Sequence, residues 1–187
     1  MNEDRDTKLF ASLIYLADTL VAGYDVIDVA DAMVATCGEL LPIDAAGIMV
    51  DDQRGGVRVL AATNEEMRLL ELLELQANAG PCVEAMASGS TVEVPDLKEA
   101  ADRWPDFVPQ ALSEGFHSAY AVPMKLRDRM IGSLNMFKSD PEPLSSTDLQ
   151  IAHVVTSMAA IGMVNHQAIR RQEILTEQLQ AALNTAA

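Results

Sequence analysis

Cysteine is scarce. The 187 residues contain two, Cys37 and Cys82, too few and too far apart for a disulfide framework or a zinc pattern. Nitrogen ligands are equally few: His117, His153 and His166 are the only histidines, and no two stand at metal-ligand spacing. Basic residues are also short, 13 Lys and Arg against 28 Asp and Glu, which gives a net charge of −15. Affinity for nucleic acid comes largely from lysine and arginine releasing counterions, so this balance opposes unaided RNA or DNA binding. No uninterrupted apolar run reaches the roughly 18 residues of a membrane span. The opening Met1-Asn-Glu-Asp-Arg-Asp lacks the basic and apolar regions of a signal peptide, so the expectation is a cytoplasmic chain with no membrane partner.

What is present is a globular composition, 49% hydrophobic against 22% charged. A domain of about 150 residues buries roughly 70% of its unfolded surface, so one domain with an appendage needs neither disulfide nor metal.

Apolar periodicity divides the chain. Leu9, Leu13, Leu16, Ala17 and Leu20 mark an amphipathic helix over Thr7 to Val21, broken at Gly23 and Tyr24. A second stripe runs through Val26, Ala30, Met33, Cys37 and Leu40 and stops at Pro42, which places Cys37 in a core. "AAGIMVDD" and "VRVLAAT", bridged by "DQRGG", read as a β-hairpin. "EEMRLLELLELQ", Glu65 to Gln76, returns to helical period. "CVEAMASG" reads as a short helix ending at Gly89, and "TVEVPDL" as an edge strand limited by Pro95. A loop and short helix hold the only tryptophan, and "HSAYAVPMKL" and "MIGSLNMFK" form an antiparallel pair across "RDR". Ser145 and Asp148 are spaced as a capping box, after which Gly162 alone interrupts helix-forming residues from Thr147 to about Leu183. Such a helix spans roughly 55 Å and must project beyond a domain with a radius of gyration of about 15 Å. Its Ile169, Leu175, Leu179 and Leu183 call for a second copy, with Gln172 and Thr176 keeping the seam weak.

This order of elements, with "GPCVEA" (Gly80 to Ala85), "DRWPDF" (Asp102 to Phe107), "GFHSAYAVPM" (Gly115 to Met124) and "IGSLNMF" (Ile131 to Phe137), resembles a GAF domain. The match is similar to the sensory half of bacterial GAF–ANTAR transcription antiterminators, with spacing that agrees from about Leu9 to Asn184. The resemblance implies an α+β fold, an antiparallel sheet flanked by helices with a long C-terminal helix. It also implies a sensory domain over residues 1–165 and a helical linker over 166–187. In that family "LQAALN" leads into the RNA-binding ANTAR module, whereas this sequence ends at Thr185-Ala-Ala. RNA contact is therefore expected only through that absent module.

Cys82 has Pro81, Val83 and Glu84 beside it, which offer apolar contact and a negative charge rather than an activating base. It reads as a small core hydrophobe, with a redox-responsive thiol as the alternative. Bilin-carrying relatives commonly have histidine after their anchoring cysteine, and Val83 stands here. Reduction of free methionine sulfoxide is the enzyme alternative within the fold, but it needs a resolving partner, and Cys37 sits on an apolar stripe. His117, at a strand end, is more simply a solvated or hydrogen-bonded residue than a haem ligand. His153 and His166 fall on nearly opposite faces of one helix and cannot share a metal.

Met49, Cys82, Trp104, Phe107, Phe116, Tyr120 and Met136 are the expected lining of a ligand pocket, set against the plainer reading of the aromatics as core plugs. Leu9, Leu13 and Leu16 join Ile169, Leu175, Leu179 and Leu183 as the expected dimer seam. The expectation is a non-enzymatic small-molecule sensor without cofactor or metal, acting as a homodimer. Its rival is a ligand-free dimerisation scaffold.

Overall fold

Capping chemistry sets where the helices begin. In the computed structural model, which describes residues 2–21, 25–52 and 54–185, the first helix α1 covers Asn2–Val21, with Glu3 and Asp4 favourably placed in its first turn. It starts earlier than the leucine stripe indicates because its first turn is polar and exposed; Gly23 and Tyr24 lie outside the described residues. Asp25 and Asp28 form a capping box for α2, Val26–Leu40. The hairpin follows as β1, Ala45–Asp51, and β2, Val57–Ala62, its turn held by Oδ1 of Asp52 accepting from the backbone N–H groups of Arg54 and Gly56. Those bonds lower the Asp52 pKa.

Asn64 caps α3, Glu65–Ala77, by accepting from the N–H of Met67, and Asn78 closes it in the left-handed region. Pro81 opens α4, Pro81–Ser88, at the position where a missing N–H costs nothing, and Gly89 ends it at φ 66°. The strand β3, Val92–Val94, leads through a 3-10 turn, Leu97–Ala100, to α5, Phe107–Ser113. Two long strands, β4 (Ser118–Leu126) and β5 (Arg129–Lys138), precede the 40-residue α6, Ser146–Thr185. The predicted Ser145–Asp148 capping box is present: Oγ of Ser145 accepts from the Asp148 N–H at 3.1 Å, and Oδ2 of Asp148 from the Ser145 N–H at 3.1 Å.

The five strands form one antiparallel sheet in the order β2-β1-β5-β4-β3. Both faces are covered, which is why β1 and β5 are buried along nearly their whole length. On one face α1, α2 and α6 pack over Ile48, Tyr120, Val122, Leu134 and Met136. On the other, α3, α4 and α5 enclose Met67, Leu70, Trp104, Phe107 and Phe137.

The α6 helix changes character along its length. It is buried in places as far as Met163 and exposed from Ala168 onward, so its second half projects. One window of it reaches a mean hydropathy of 1.2, enough by composition for a membrane span, yet half of that window is buried inside the protomer, as a core helix would be.

The expected seam residues divide accordingly. Ile169, Leu175, Leu179 and Leu183 are exposed, whereas Leu9 and Leu13 are half-buried. Leu16 is fully buried, because its turn of α1 faces the protomer's own core, and so offers no surface to a partner. The outward apolar residues of α1 are instead Phe10 and Ile14, each 63% exposed, with Tyr15 beside them.

Candidate functional site: a carboxyl pair beneath the α4 roof

Strand parity decides which predicted residues meet. Met49 on β1 points away from Ile48 and Val50, toward α4, where the Cys82 thiol lies against its Sδ. Trp104, Phe107 and Phe116 are gathered on the same face around Phe137, with Trp104 meeting Phe107 edge-on at 6.2 Å and Phe116 lying 5.4 Å from Phe137. Five of the seven expected lining residues therefore share one side of the sheet. Tyr120 and Met136 do not. They are cross-strand partners whose side chains enter the opposite core, because odd and even strand positions face opposite ways. The Tyr120 hydroxyl donates to the carbonyl of Glu142 at 2.9 Å and accepts from the N–H of Leu144 at 3.2 Å, which pins the segment leading into α6.

The roofed face holds a polar cluster that the sequence reading assigned no role. Glu71 and Glu74 sit on α3 at a three-residue spacing, both 0% exposed, inside an otherwise apolar layer. Oε1 of Glu71 accepts from Nδ2 of Asn135 at 3.0 Å, and Oδ1 of Asn135 in turn accepts from the Ser133 hydroxyl at 2.9 Å. Oε1 of Glu74 accepts from the backbone N–H of Cys82 at 3.1 Å. Among the described residues the second oxygen of each carboxyl has no hydrogen-bond partner.

Two glycines make the room. A Cβ on Gly47 would overlap the Glu71 carboxyl, and one on Gly80 would overlap that of Glu74. Gly80 also has φ 141°, a conformation that side chains disfavour.

Burial dominates the electrostatics. It pushes the Glu71 pKa up to about 8, against smaller lowering effects from the Asn135 hydrogen bond and the charge of Arg68. Glu74 is raised well above the usual glutamate value, first by burial and then by the charge of Glu71, with the Cys82 N–H acting against both. The Cys82 thiol is raised by burial and by both carboxyls, so it is held as an unreactive thiol. Cys37 is raised to about 12 by burial and belongs to the core on the far side of the sheet.

Above the cluster, Arg103 ties the roof down. Its Nε donates to Oε2 of Glu84 on α4 at 2.9 Å, Nη2 pairs with Oε1, and the guanidinium lies 4.6 Å from the centre of the Trp104 ring. Because the ion pair is partly exposed, Arg103→Ala is expected to cost only about 1 kcal/mol. Hydrogen exchange should accelerate in α4 while β4 and β5 keep their protection; uniform acceleration across the sheet would show that the pair does not act as a local tie.

His117 is half-buried at the start of β4 and His153 is exposed, its Nε2 3.3 Å from Oγ1 of Thr91. Among the described residues no three His, Cys, Asp or Glu side chains are grouped as a metal site requires.

Residues 25–163 match the model of the GAF domain. The chain belongs to the GAF family. Solved structures share the fold at low identity. The GAF domain of an Acinetobacter phosphoenolpyruvate-protein phosphotransferase aligns with a TM-score of 0.68 at 16% identity, covering 86% of this chain and 95% of its own. The free methionine-R-sulfoxide reductase of Neisseria meningitidis, solved with its substrate, gives 0.66 at 18% identity over 88% of this chain and 91% of its own. A phycoerythrobilin-bound GAF domain from a cyanobacterial phytochrome gives 0.67 at 17% identity over 87% and 97%. No curated protein matches the chain. At these identities the likeness establishes the GAF fold, while the carboxyl pair and its glycines are read from this chain alone.

Proposed function

We propose that this GAF domain is the sensory module of a transcription antitermination regulator, binding a small molecule on the α3–α5 side of its sheet and signalling as a dimer along α6. The observation that carries the ligand-binding part is the buried cluster of Glu71, Glu74, Asn135 and Ser133, which has two unsatisfied carboxyl oxygens in an apolar layer. Buried polar groups are normally satisfied, so an unsatisfied pair calls for a reason, and a bound ligand supplies one. The antitermination part rests on the resemblance of "GPCVEA", "DRWPDF" and "IGSLNMF" to the sensory half of GAF–ANTAR proteins. RNA contact then belongs to an ANTAR module beyond these residues, in keeping with a net charge of −15.

No catalytic step is assigned. Burial and the neighbouring carboxyls raise the Cys82 pKa rather than activate the thiol, and Cys37 lies across the sheet from it, which leaves a reductase or thiol-sensor cycle without a second cysteine as resolving partner.

Coupling follows from the sandwich. The β5 strand, which carries Asn135 and Ser133 of the cluster, also meets α6, so a ligand that prefers one packing of α6 against α1 and α2 shifts the population of helix arrangements. Homodimerisation is supported by the exposed Leu175, Leu179 and Leu183 of the projecting half, and by Phe10 and Ile14 on α1. An open groove of about 400 Å³ between α1 and α6, lined by Leu9, Leu13, Ile151 and Val154, continues that surface.

Replacing Leu175 and Leu179 by Lys together is expected to weaken the dimer roughly tenfold or more with unchanged domain melting, since both residues are solvent-exposed in the protomer. Sedimentation velocity measures it, and an unaltered dimer would remove α6 from the interface.

One observation favours the rival scaffold reading: the aromatics Trp104, Phe107 and Phe137 fill much of the roofed face. Native mass spectrometry of gently purified protein separates the two. A bound species of defined mass supports the sensor; a persistently bare dimer supports the scaffold.

A further inference from the structure

The proposed ligand site is acidic: two carboxyls converge there. Glu71 and Glu74 supply two fully buried oxygens without partners among the described residues, and the apolar cluster on this face includes no basic side chain; Arg68, the cation that acts on Glu71, is itself exposed. An unpaired buried carboxylate is among the most costly groups a protein can hold, and leaving one acceptor unsatisfied costs further. The arrangement is nevertheless built up. Gly47 and Gly80 leave space where any Cβ would collide, and Asn135 and the Cys82 N–H each fix one oxygen, leaving the other free.

We propose that Glu71 and Glu74 anchor the ligand and that the ligand is a small organic cation, a primary ammonium or guanidinium compound whose N–H groups donate to the two free carboxyl oxygens. This rests on the reading of the α3–α5 face as the ligand site and specifies its chemistry. Ammonium offers three donors and guanidinium five, enough to reach both oxygens, and the single positive charge balances one ionised carboxyl while the other keeps its proton. A bare metal ion fits less well, since the described residues group no three metal-binding side chains. Met49, against Cys82, and the apolar cluster of this face, with Met67 and Leu70 on the same helix as the pair, suit a hydrocarbon body attached to the cationic head. An anionic ligand meets two carboxyls and no compensating cation. The acidic protein as a whole also draws cations toward it.

The cation does more at the pair than fill space. Burial favours the protonated form of the pair, so a bound cation displaces a proton from one carboxyl, and uptake strengthens as the pH rises.

The test uses the full chain with n-butylamine, 1,4-diaminobutane and methylguanidine as probes, and tetramethylammonium and butyrate as controls. Side-chain carboxyl carbons of Glu71 and Glu74 are followed by NMR, and proton release by calorimetry in buffers of different ionisation heat. At least one N–H-bearing cation is expected to shift both carboxyl signals with release of protons, while tetramethylammonium, which has no donor, does not. Affinity should fall by roughly tenfold or more in Glu71→Gln and in Glu74→Gln, the loss of one charge-assisted hydrogen bond. The wild-type NMR reading stands even if a variant fails to fold.

Carboxyl signals that stay fixed with every cationic probe overturn the proposal, as does binding that survives in both variants. If the cations fail while native spectra show a bound neutral or acidic molecule, the ligand class is wrong and the sensory reading stands. If the cations fail and nothing is bound, both fall.

Discussion

The folded domain will lose stability as the pH rises from the acid range toward about 8, and Glu71→Gln will flatten that decline. Burial raises the Glu71 pKa from 4.5 to about 8 in the folded protein, while the unfolded chain keeps the ordinary value. Between those values the folded state holds a proton that the unfolded state has released, so each step up in pH favours unfolding. At 1.4 kcal/mol per pH unit, Glu71 alone removes roughly 3 kcal/mol between its unfolded pKa and neutrality. That is a large share of the 5–15 kcal/mol typical of a domain. Glu74, raised in the same direction by burial and by the charge of Glu71, adds to the decline.

The other groups facing the pair do not reverse this. The Cys82 thiol is raised too, Asn135 does not titrate, and the charge of Arg68 acts only as a smaller lowering effect on Glu71. Asp52 and Asp148 have lowered pKa values and contribute in the opposite sense, but at pH values below the window of the pair. Urea unfolding at a series of pH values measures the effect in wild type and in the Gln variants. Parallel profiles for wild type and Glu71→Gln would mean that the Glu71 carboxyl titrates alike in the folded and unfolded states.

Gly132→Ala is expected to destabilise by roughly 3 kcal/mol or more, enough to threaten folding. Gly132 lies on β5, opposite Val50 of β1 and Met124 of β4. An added Cβ would come within 3.0 Å of Val50 Cα and closer still to the carbonyl oxygen of Met49. Both are backbone atoms of a strand hydrogen-bonded on its two edges, so neither can give way without breaking the ladder. Gly38→Ala provides the comparison. Gly38 sits inside α2 with nothing near its added Cβ, and the substitution should stabilise by about 0.5–1 kcal/mol. Denaturation midpoints distinguish the two, and equal effects would show that the sheet adjusts freely at Gly132.

Most of the elements were legible in the sequence because their signals are local. The stripe ending at Pro42, the hairpin turn and the Ser145–Asp148 cap each depend on neighbours within a few residues, and each formed where its residues stand. The sheet faces were less so. Size and position along the chain put Tyr120 and Met136 with Trp104, yet parity sends them to the other core. Which helices cover which face depends on the strand order, which no short stretch encodes.

The carboxyl pair leaves a trace in the sequence. Met67, Leu70, Glu71 and Glu74 fall at the spacing of a single helix face, so burying Met67 and Leu70 carries the two glutamates inward. Leu69, 55% exposed, and Leu72 face outward in exchange. Leucines are so numerous in "EEMRLLELLELQ" that any face of that helix looks apolar, and this hides which one is buried.

The continuity of α6 makes it a torsional shaft. Ile151, Val155, Ala159 and Met163 are clamped in the core of the domain, and the same unbroken helix carries Ile169, Leu175 and Leu183 in solvent. Their azimuth is therefore set by how the clamped end is seated. Adding one residue between the two halves would swing the exposed leucines by about 100°, whereas adding seven would return them almost to their original bearing while moving them outward by about 10 Å.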